Sequence, residues 1–134
     1  MRILVTGPRI WTDFTSILDT FVKVYYSTRF YEITLIEGEA VGFDSMARII
    51  GVSFRWNIEP YPVNWYTDGR YNRHAAHERN QAMVDSGADL AIAGIMECNK
   101  VVCRKPRPHI THGTDDCINR IMEAGIPLKE IKPR

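Results

Sequence analysis

Short apolar runs, each breaking into a loop with glycine or charge and then into a segment of helical periodicity, constrain this chain most. Ile3-Leu4-Val5 breaks into Thr6-Gly7-Pro8-Arg9, and Ile33-Thr34-Leu35-Ile36 breaks into Glu37-Gly38-Glu39-Ala40-Val41-Gly42-Phe43-Asp44. Asp89–Ala93 leads through a long polar stretch to His112-Gly113-Thr114-Asp115-Asp116. Runs this short and β-branched, without polar alternation, predict strands covered on both faces. Between them Phe14, Ile17, Leu18, Phe21, Val22 and Tyr25 recur at helical spacing, with Thr12 or Asp13 as cap. Asp44 is placed to cap a second helix with Met46, Ala47, Ile50 and Phe54 turned inward. His74 to Asp85 reads as a third helix, and Thr114 or Asp115 opens a fourth that ends at Gly125. Asn57–Tyr61 is a weaker strand cut by Pro60 and Pro62, and Pro127–Ile131 a final edge strand. The alternation predicts an α/β fold: a parallel sheet with right-handed crossovers and helices on both faces. Loops at the carboxyl edge of such a sheet build a ligand crevice.

The 134 residues suffice for one domain, 1–134, with no repeat or linker. Seventeen basic against sixteen acidic side chains, net +1, argue against a surface dominated by nucleic-acid phosphates. An odd count of three cysteines in a chain with enough core predicts no disulfide framework and a reducing, cytoplasmic setting. No apolar stretch approaches the roughly 18 residues of a membrane span, and Met1-Arg2 running straight into a strand predicts no signal peptide. Cys98-x4-Cys103-x5-His109-x2-His112 holds enough nitrogen and sulfur to suggest zinc, but the spacing matches no standard structural knuckle, so no metal is assigned. The loop with Trp65, Tyr66, Asp68-Gly69 and Tyr71 is long for a compact domain, and its aromatics either stack on a base or pack on the sheet.

Three loops are predicted to converge. Gly7 allows backbone to approach a ligand, Pro8 stiffens the turn, and Arg9 offers a fork for phosphate or carboxylate. Gly38 and Gly42 bracket a turn that aims amides inward, and Gly113-Thr114 repeats this at the last helix. The spacing is neither Gly-x-Gly-x-x-Gly nor a Walker loop, so no dinucleotide cofactor is assigned. Asp44 is a ribose ligand, an actor at the anomeric carbon or a plain helix cap. Glu37, after an apolar strand, is an acid–base candidate or a solvated carboxylate. Asp115 and Asp116 favour the helix macrodipole and would repel a phosphate placed there. This puts phosphate nearer Gly7–Arg9, with sugar nearer the acids.

Arg2-Ile3-Leu4-Val5-Thr6-Gly7-Pro8-Arg9, Glu37-Gly38-x3-Gly42-x-Asp44-x2-Ala47, Arg79-Asn80-x2-Met83, His112-Gly113-Thr114-x-Asp116 and Ala124-Gly125-Ile126-Pro127, in this order, resemble the YspA/YpsA-related branch of the SLOG superfamily. That superfamily includes the LOG nucleotide hydrolases and the DNA-processing protein DprA. The resemblance spans residues 2 to about 128 and also fits a phage-encoded protein. It implies a Rossmann-like three-layer fold with sheet order 3-2-1-4-5, a nucleotide or ADP-ribose-like ligand, and a homo-oligomer. Its hydrolase members imply that Arg79, beside Asn80, holds a phosphate, and that Gly113, Thr114 and Asp115 form the glycine-rich motif. Where those hydrolases carry a glutamate this chain has Cys117, so a hydrolytic reading needs Asp116, Asp115 or Glu37 in its place, and its candidate catalytic carboxylates are Glu37, Asp44 and Asp116. Gly-Pro-Arg and Glu-Gly-Glu likewise stand where relatives carry Gly-Gly-Arg and His-Gly-Gly. The first expectation is a binding module acting as sensor or sequestering protein. The second is hydrolysis or transfer at the N-glycosidic bond of a nucleoside monophosphate. The third, single-stranded nucleic-acid binding, would need a basic groove.

Overall fold

The computed structural model describes residues 1–29 and 32–134. β1 (Arg2–Thr6), α1 (Phe14–Ser27), β2 (Thr34–Glu37), α2 (Phe43–Ser53) and β3 (Asn57–Pro60) alternate through the first half. β4 (Tyr66–Thr67) and β5 (Arg70–Tyr71) form a small hairpin, followed by α3 (Ala75–Asp85), β6 (Leu90–Gly94), α4 (His112–Glu123) and β7 (Leu128–Ile131). The main sheet is parallel in the order β3-β2-β1-β6-β7, which without the hairpin strands is the expected 3-2-1-4-5. Asp68 and Gly69, both with positive φ (52° and 76°), make the two-residue turn of the β4–β5 hairpin, where the sequence pattern predicts only a loop.

Side-chain alternation on β1 divides the core. Ile3 and Val5 join Ile17 and Phe21 of α1 and Ala47 and Ile50 of α2 on one face. Leu4 joins Met83 and Val84 of α3 and Cys117 and Ile121 of α4 on the other. Each such buried aliphatic side chain contributes roughly 1.5–3 kcal/mol. Asp13 caps α1 as expected, accepting from Ser16 N at 3.1 Å, and its other oxygen accepts from Arg134 N at 2.8 Å.

Two helix starts differ from expectation. Gly42, not Asp44, is the N-cap residue of α2: its φ of +80° disfavours a side chain, and a Cβ there would strike the carbonyls of Pro8 and Arg9. Asp44 lies inside the first turn with its carboxylate turned back to the loop. Helix α4 begins at His112 behind Thr111, earlier than Thr114 or Asp115.

Phe43 ties the loops together. A Cβ on Gly7 or on Gly94 would overlap the Phe43 ring, so the phenyl lies directly on the backbone of β1's exit and β6's end. The edge of Trp11 meets the same ring at 5.1 Å and 84°, and Phe43 N donates to Pro8 O at 3.2 Å. Gly94→Ala is therefore expected to destabilise the chain by about 1–3 kcal/mol through overpacking. Gly113→Ala, whose Cβ would meet nothing within 4 Å, should be neutral or slightly stabilising. Urea denaturation of the two variants checks the contrast.

Candidate functional site

The strand order reverses between β1 and β6, and a cavity of about 520 Å³ opens over that point at the carboxyl edge of the sheet. This lies inside the range of about 300–1,000 Å³ typical of small-molecule sites. The exit of β1 supplies Thr6 to Ile10, the β2–α2 junction Ala40 and Asp44, and α3 His77, Arg79, Asn80 and Met83. Trp65, before the hairpin, forms one side, and the β6–α4 connection supplies Cys98 to Lys100 and Thr111 to Thr114. A smaller cavity of about 230 Å³ shares Arg9, Ala40, Trp65 and Arg79, and adds Gly38 and Glu39.

The positive groups come from three elements. Arg79 reaches across from α3: Nη1 donates to Gly38 O and to Tyr61 O (3.3 Å), and Nε donates to Asn80 Oδ1 at 3.0 Å. Gly38 is glycine for a steric reason, because a Cβ would meet this guanidinium and the Asp44 carboxylate. Arg9 is exposed, and its guanidinium has no hydrogen-bond or ion-pair partner among the described residues. Asn80, buried, donates to Gly113 O (3.3 Å) and Asp116 Oδ2 (3.0 Å), which joins α3 to the start of α4. The first amides of α4, at His112, Gly113 and Thr114, lie on the cavity wall, where a helix start favours an anion.

The acidic candidates separate. Asp44 is 5% exposed and lines the cavity. Its Oδ2 accepts from Gly38 N (3.1 Å) and Ala40 N (3.4 Å). Its Oδ1 is one of two buried side-chain polar atoms without a partner among the described residues, the other being Trp56 Nε1. Burial pushes this carboxyl up to about 7; Arg79 pulls the other way, and the Glu37 charge adds to the rise. Glu37 is fully buried rather than solvated, held by Arg48 at 2.6 Å and by Glu39 N, and does not line either cavity. Asp116 pairs with Arg120 at 2.9 Å; burial raises its pKa, but the bonds from Arg120 and Asn80 prevail and hold it below the usual carboxylate range. Asp116 and Asp115 both stand outside the cavity lining. Cys117 is wholly buried under α4, and burial pushes its thiol up to about 11.

Of the residues singled out in the sequence, Gly7, Pro8, Arg9, Asp44, Arg79, Asn80, Gly113 and Thr114 therefore meet at one cavity. Gly38 borders its smaller neighbour, and Gly42 shapes the loop without reaching either. The sequence pattern does not place Thr6, Asn99 or Lys100 there, nor the β6–α4 connection as a wall; only the Cys/His pattern at 98–112 hinted that this connection is organised. No helix among the described residues is long and apolar enough to cross a membrane.

No family model matches the chain. Over 132 residues it is 28% identical to the Gene 61 protein of Mycobacterium phage D29, covering 95% of this chain and 93% of that relative. Among solved structures, DNA processing protein A (DprA) from Streptococcus pneumoniae superposes with a TM-score of 0.68 at 14% identity. The match covers 96% of this chain and 49% of the DprA chain, so this chain spans about half of that protein. The shared feature is the Rossmann-like α/β fold.

The raised Asp44 carboxyl has a consequence for stability. Its folded-state pKa lies above the unfolded value, so its contribution is full below about pH 4 and is lost as pH rises through about 7. The difference between wild type and Asp44→Asn isolates the carboxyl. Between about pH 5 and 8 the wild type should lose a few kcal/mol relative to Asp44→Asn, read from urea midpoints at each pH.

Proposed function

We propose that this chain binds a nucleotide or nucleotide-derived, ADP-ribose-like ligand in the crevice and acts as a sensor or sequestering module of the SLOG type. The observation that carries this reading is the meeting, in one cavity, of Arg9, Arg79, the amino end of α4 and a buried carboxyl with an unpartnered oxygen. Guanidinium groups and helix-start amides suit phosphate, and the open Oδ1 of Asp44 suits a ribose hydroxyl as donor. Trp65, half-buried at the rim, offers a face for a base. The likeness to a phage protein and the DprA-like fold agree with the superfamily but say nothing of the ligand.

A second reading, cleavage at the N-glycosidic bond of a nucleoside monophosphate, is favoured by one observation: a cavity carboxyl that titrates near neutrality. Asp44 as carboxylate would stabilise the oxocarbenium-like centre or take a proton from the water that adds to C1′ as the C1′–N bond breaks, the electron pair leaving with the base, which takes up a proton from solvent. Arg9 and Arg79 would hold the phosphate. Glu37 and Asp116, committed to Arg48 and Arg120, take no part in it.

Calorimetric titration with AMP, GMP, dCMP, ADP-ribose and cyclic dinucleotides tests the first reading. At least one should bind, and Arg9→Ala should weaken it by about 10- to 100-fold, the effect of losing a charge-assisted hydrogen bond. Failure of every compound to bind, or indifference of affinity to Arg9→Ala, overturns it. Release of free base by wild type and none by Asp44→Asn would select the second reading. A steeply salt-dependent shift of an oligonucleotide in place of either would move the chain to nucleic-acid binding.

A further inference from the structure

The connection from β6 to α4 is the least self-sufficient part of the fold. Of residues 99–108, every one except Cys103 is exposed, with Val101 at 97% and Val102 at 87%. Lys100, Arg104, Lys105 and Arg107 lie in this stretch without an acidic residue among them. A segment with so little apolar burial and so much like charge has little in its own side chains to oppose the entropy of ordering it. It nevertheless folds back on itself. Glu97 and Ile110 form an isolated antiparallel bridge, Cys98 N donates to His109 O at 2.7 Å, and Thr111 N donates to Met96 O at 3.1 Å.

This pairing brings four side chains to one point. The Sγ atoms of Cys98 and Cys103 and a ring nitrogen of each of His109 and His112 all lie within 4.8 Å of one another. Cys98 Sγ stands 3.5 Å from His112 Nε2, and Cys103 Sγ 3.4 Å from His109 Nε2 and 3.3 Å from His112 Nε2. The two Nε2 atoms are 3.0 Å apart. Bond lengths of about 2.3 Å to sulfur and 2.0–2.1 Å to nitrogen around a tetrahedral zinc place its ligands about 3.3–3.8 Å from one another. These four of the six ligand–ligand spacings fall at or just under that range, and all six are within 4.8 Å. Both cysteines are free thiols.

The outer groups are set for the same purpose. His109 Nδ1 lies 2.9 Å from Pro106 O; a proton on Nδ1 donated to that carbonyl leaves the Nε2 lone pair facing the cluster. Arg107 donates to the carbonyls of Cys98 and Lys100, bracing the first ligand's loop. Two imidazole lone pairs and two sulfurs converging in one space are all satisfied together by a cation at the centre.

We infer that Cys98, Cys103, His109 and His112 bind one zinc ion in a closed tetrahedral Cys2His2 site that fixes the β6–α4 connection to the first residue of α4. On binding, the two thiols release two protons, so Zn²⁺ and two thiolates make a neutral unit. Four protein ligands leave no open position, so the ion is structural and supplies no Lewis acid to the crevice. The Cys-x4-Cys half has a common zinc spacing. The histidine half departs from the common pattern because His112 is already the first residue of α4 while His109 belongs to the loop. The inference is independent of what the crevice binds.

Metal analysis of the full chain, purified under reductant without chelator, should give about one zinc per chain. Chelator-stripped protein should bind Co²⁺ with the intense visible bands of a tetrahedral site and a thiolate charge-transfer band, both displaced by zinc. Cys103→Ser and His109→Ala should lose the metal, while Cys117→Ala, which alters a core cysteine outside the cluster, should keep it. Chelation should also speed tryptic cutting after Lys100 and Arg104, the two basic residues of this stretch not followed by proline, and zinc should restore protection. Less than about a tenth of an equivalent in both purified and zinc-dialysed protein overturns the inference. So does a Co²⁺ spectrum of octahedral type, a Cys98–Cys103 disulfide under reductant, or full metal content in Cys103→Ser. If the ligand variants do not fold, the wild-type Co²⁺ spectrum decides alone.

Discussion

The phenyl ring of Phe43 occupies the space that side chains at Gly7 and Gly94 would take, and most of the crevice follows from that contact. It draws the first turn of α2 onto the ends of β1 and β6, the place where the sheet changes direction. The next residue, Asp44, is thereby carried into a nearly dry position that an aspartate would otherwise avoid. Two backbone amides and the nearby Arg79 moderate the desolvation, yet burial still wins and lifts the carboxyl to about 7. The buried position is held because a side chain at Gly42 would strike the backbone of Pro8 and Arg9, and because the Phe43 ring fills the space beside Gly7 and Gly94.

The same economy of space governs the charges. Glu37 and Asp116 each have an arginine of their own, Arg48 and Arg120, placed on α2 and α4. Arg79 is bonded to backbone carbonyls of the β2–α2 loop and of Tyr61, which positions its guanidinium without a full carboxylate partner in contact. Arg9 stays unpaired among the described residues, and Lys100 adds a third cation to the cavity wall. A net charge of +1 for the whole chain thus conceals a crevice with cations on its wall and one buried carboxyl whose pKa burial raises.

The architecture was readable in the sequence because parallel strands covered on both faces must be short, continuous and apolar, as Ile3–Val5 and Ile33–Ile36 are. Convergence of Arg9, Asp44 and Thr114 was readable for the same reason, since loops at one edge of such a sheet have to meet; Arg79, inside α3, was placed there by the resemblance. What sequence could not supply was side-chain direction. Glu37 and Asp44 stand seven positions apart around one loop; the first turns to Arg48 and the second into the cavity, and only the packed register of α2 decides which. The glycines were read as openings toward a ligand. At Gly7 the close neighbour is Phe43, a contact that joins residues remote in sequence. The Cys/His pattern is visible in the sequence but assigns no metal there, because spacing is judged along the chain, whereas the geometry of the cluster depends on the bridge between Glu97 and Ile110.

That bridge couples the two sites. Thr111 to Thr114 line the crevice, and His112 among them also points its Nε2 into the Cys/His cluster. The amides that favour an anion therefore belong to the same turn of chain that the metal holds. Without the ion, the exposed basic stretch 99–108 has no apolar anchor, and the helix start on which it ends loses a constraint on its direction. With the ion bound, ordering of this wall is complete before any ligand arrives, so a ligand need not supply that entropy from its own contacts. A loop without a hydrophobic core can form one side of a defined cavity on these terms, and the rest of the fold, packed on both faces of β1, does not depend on it.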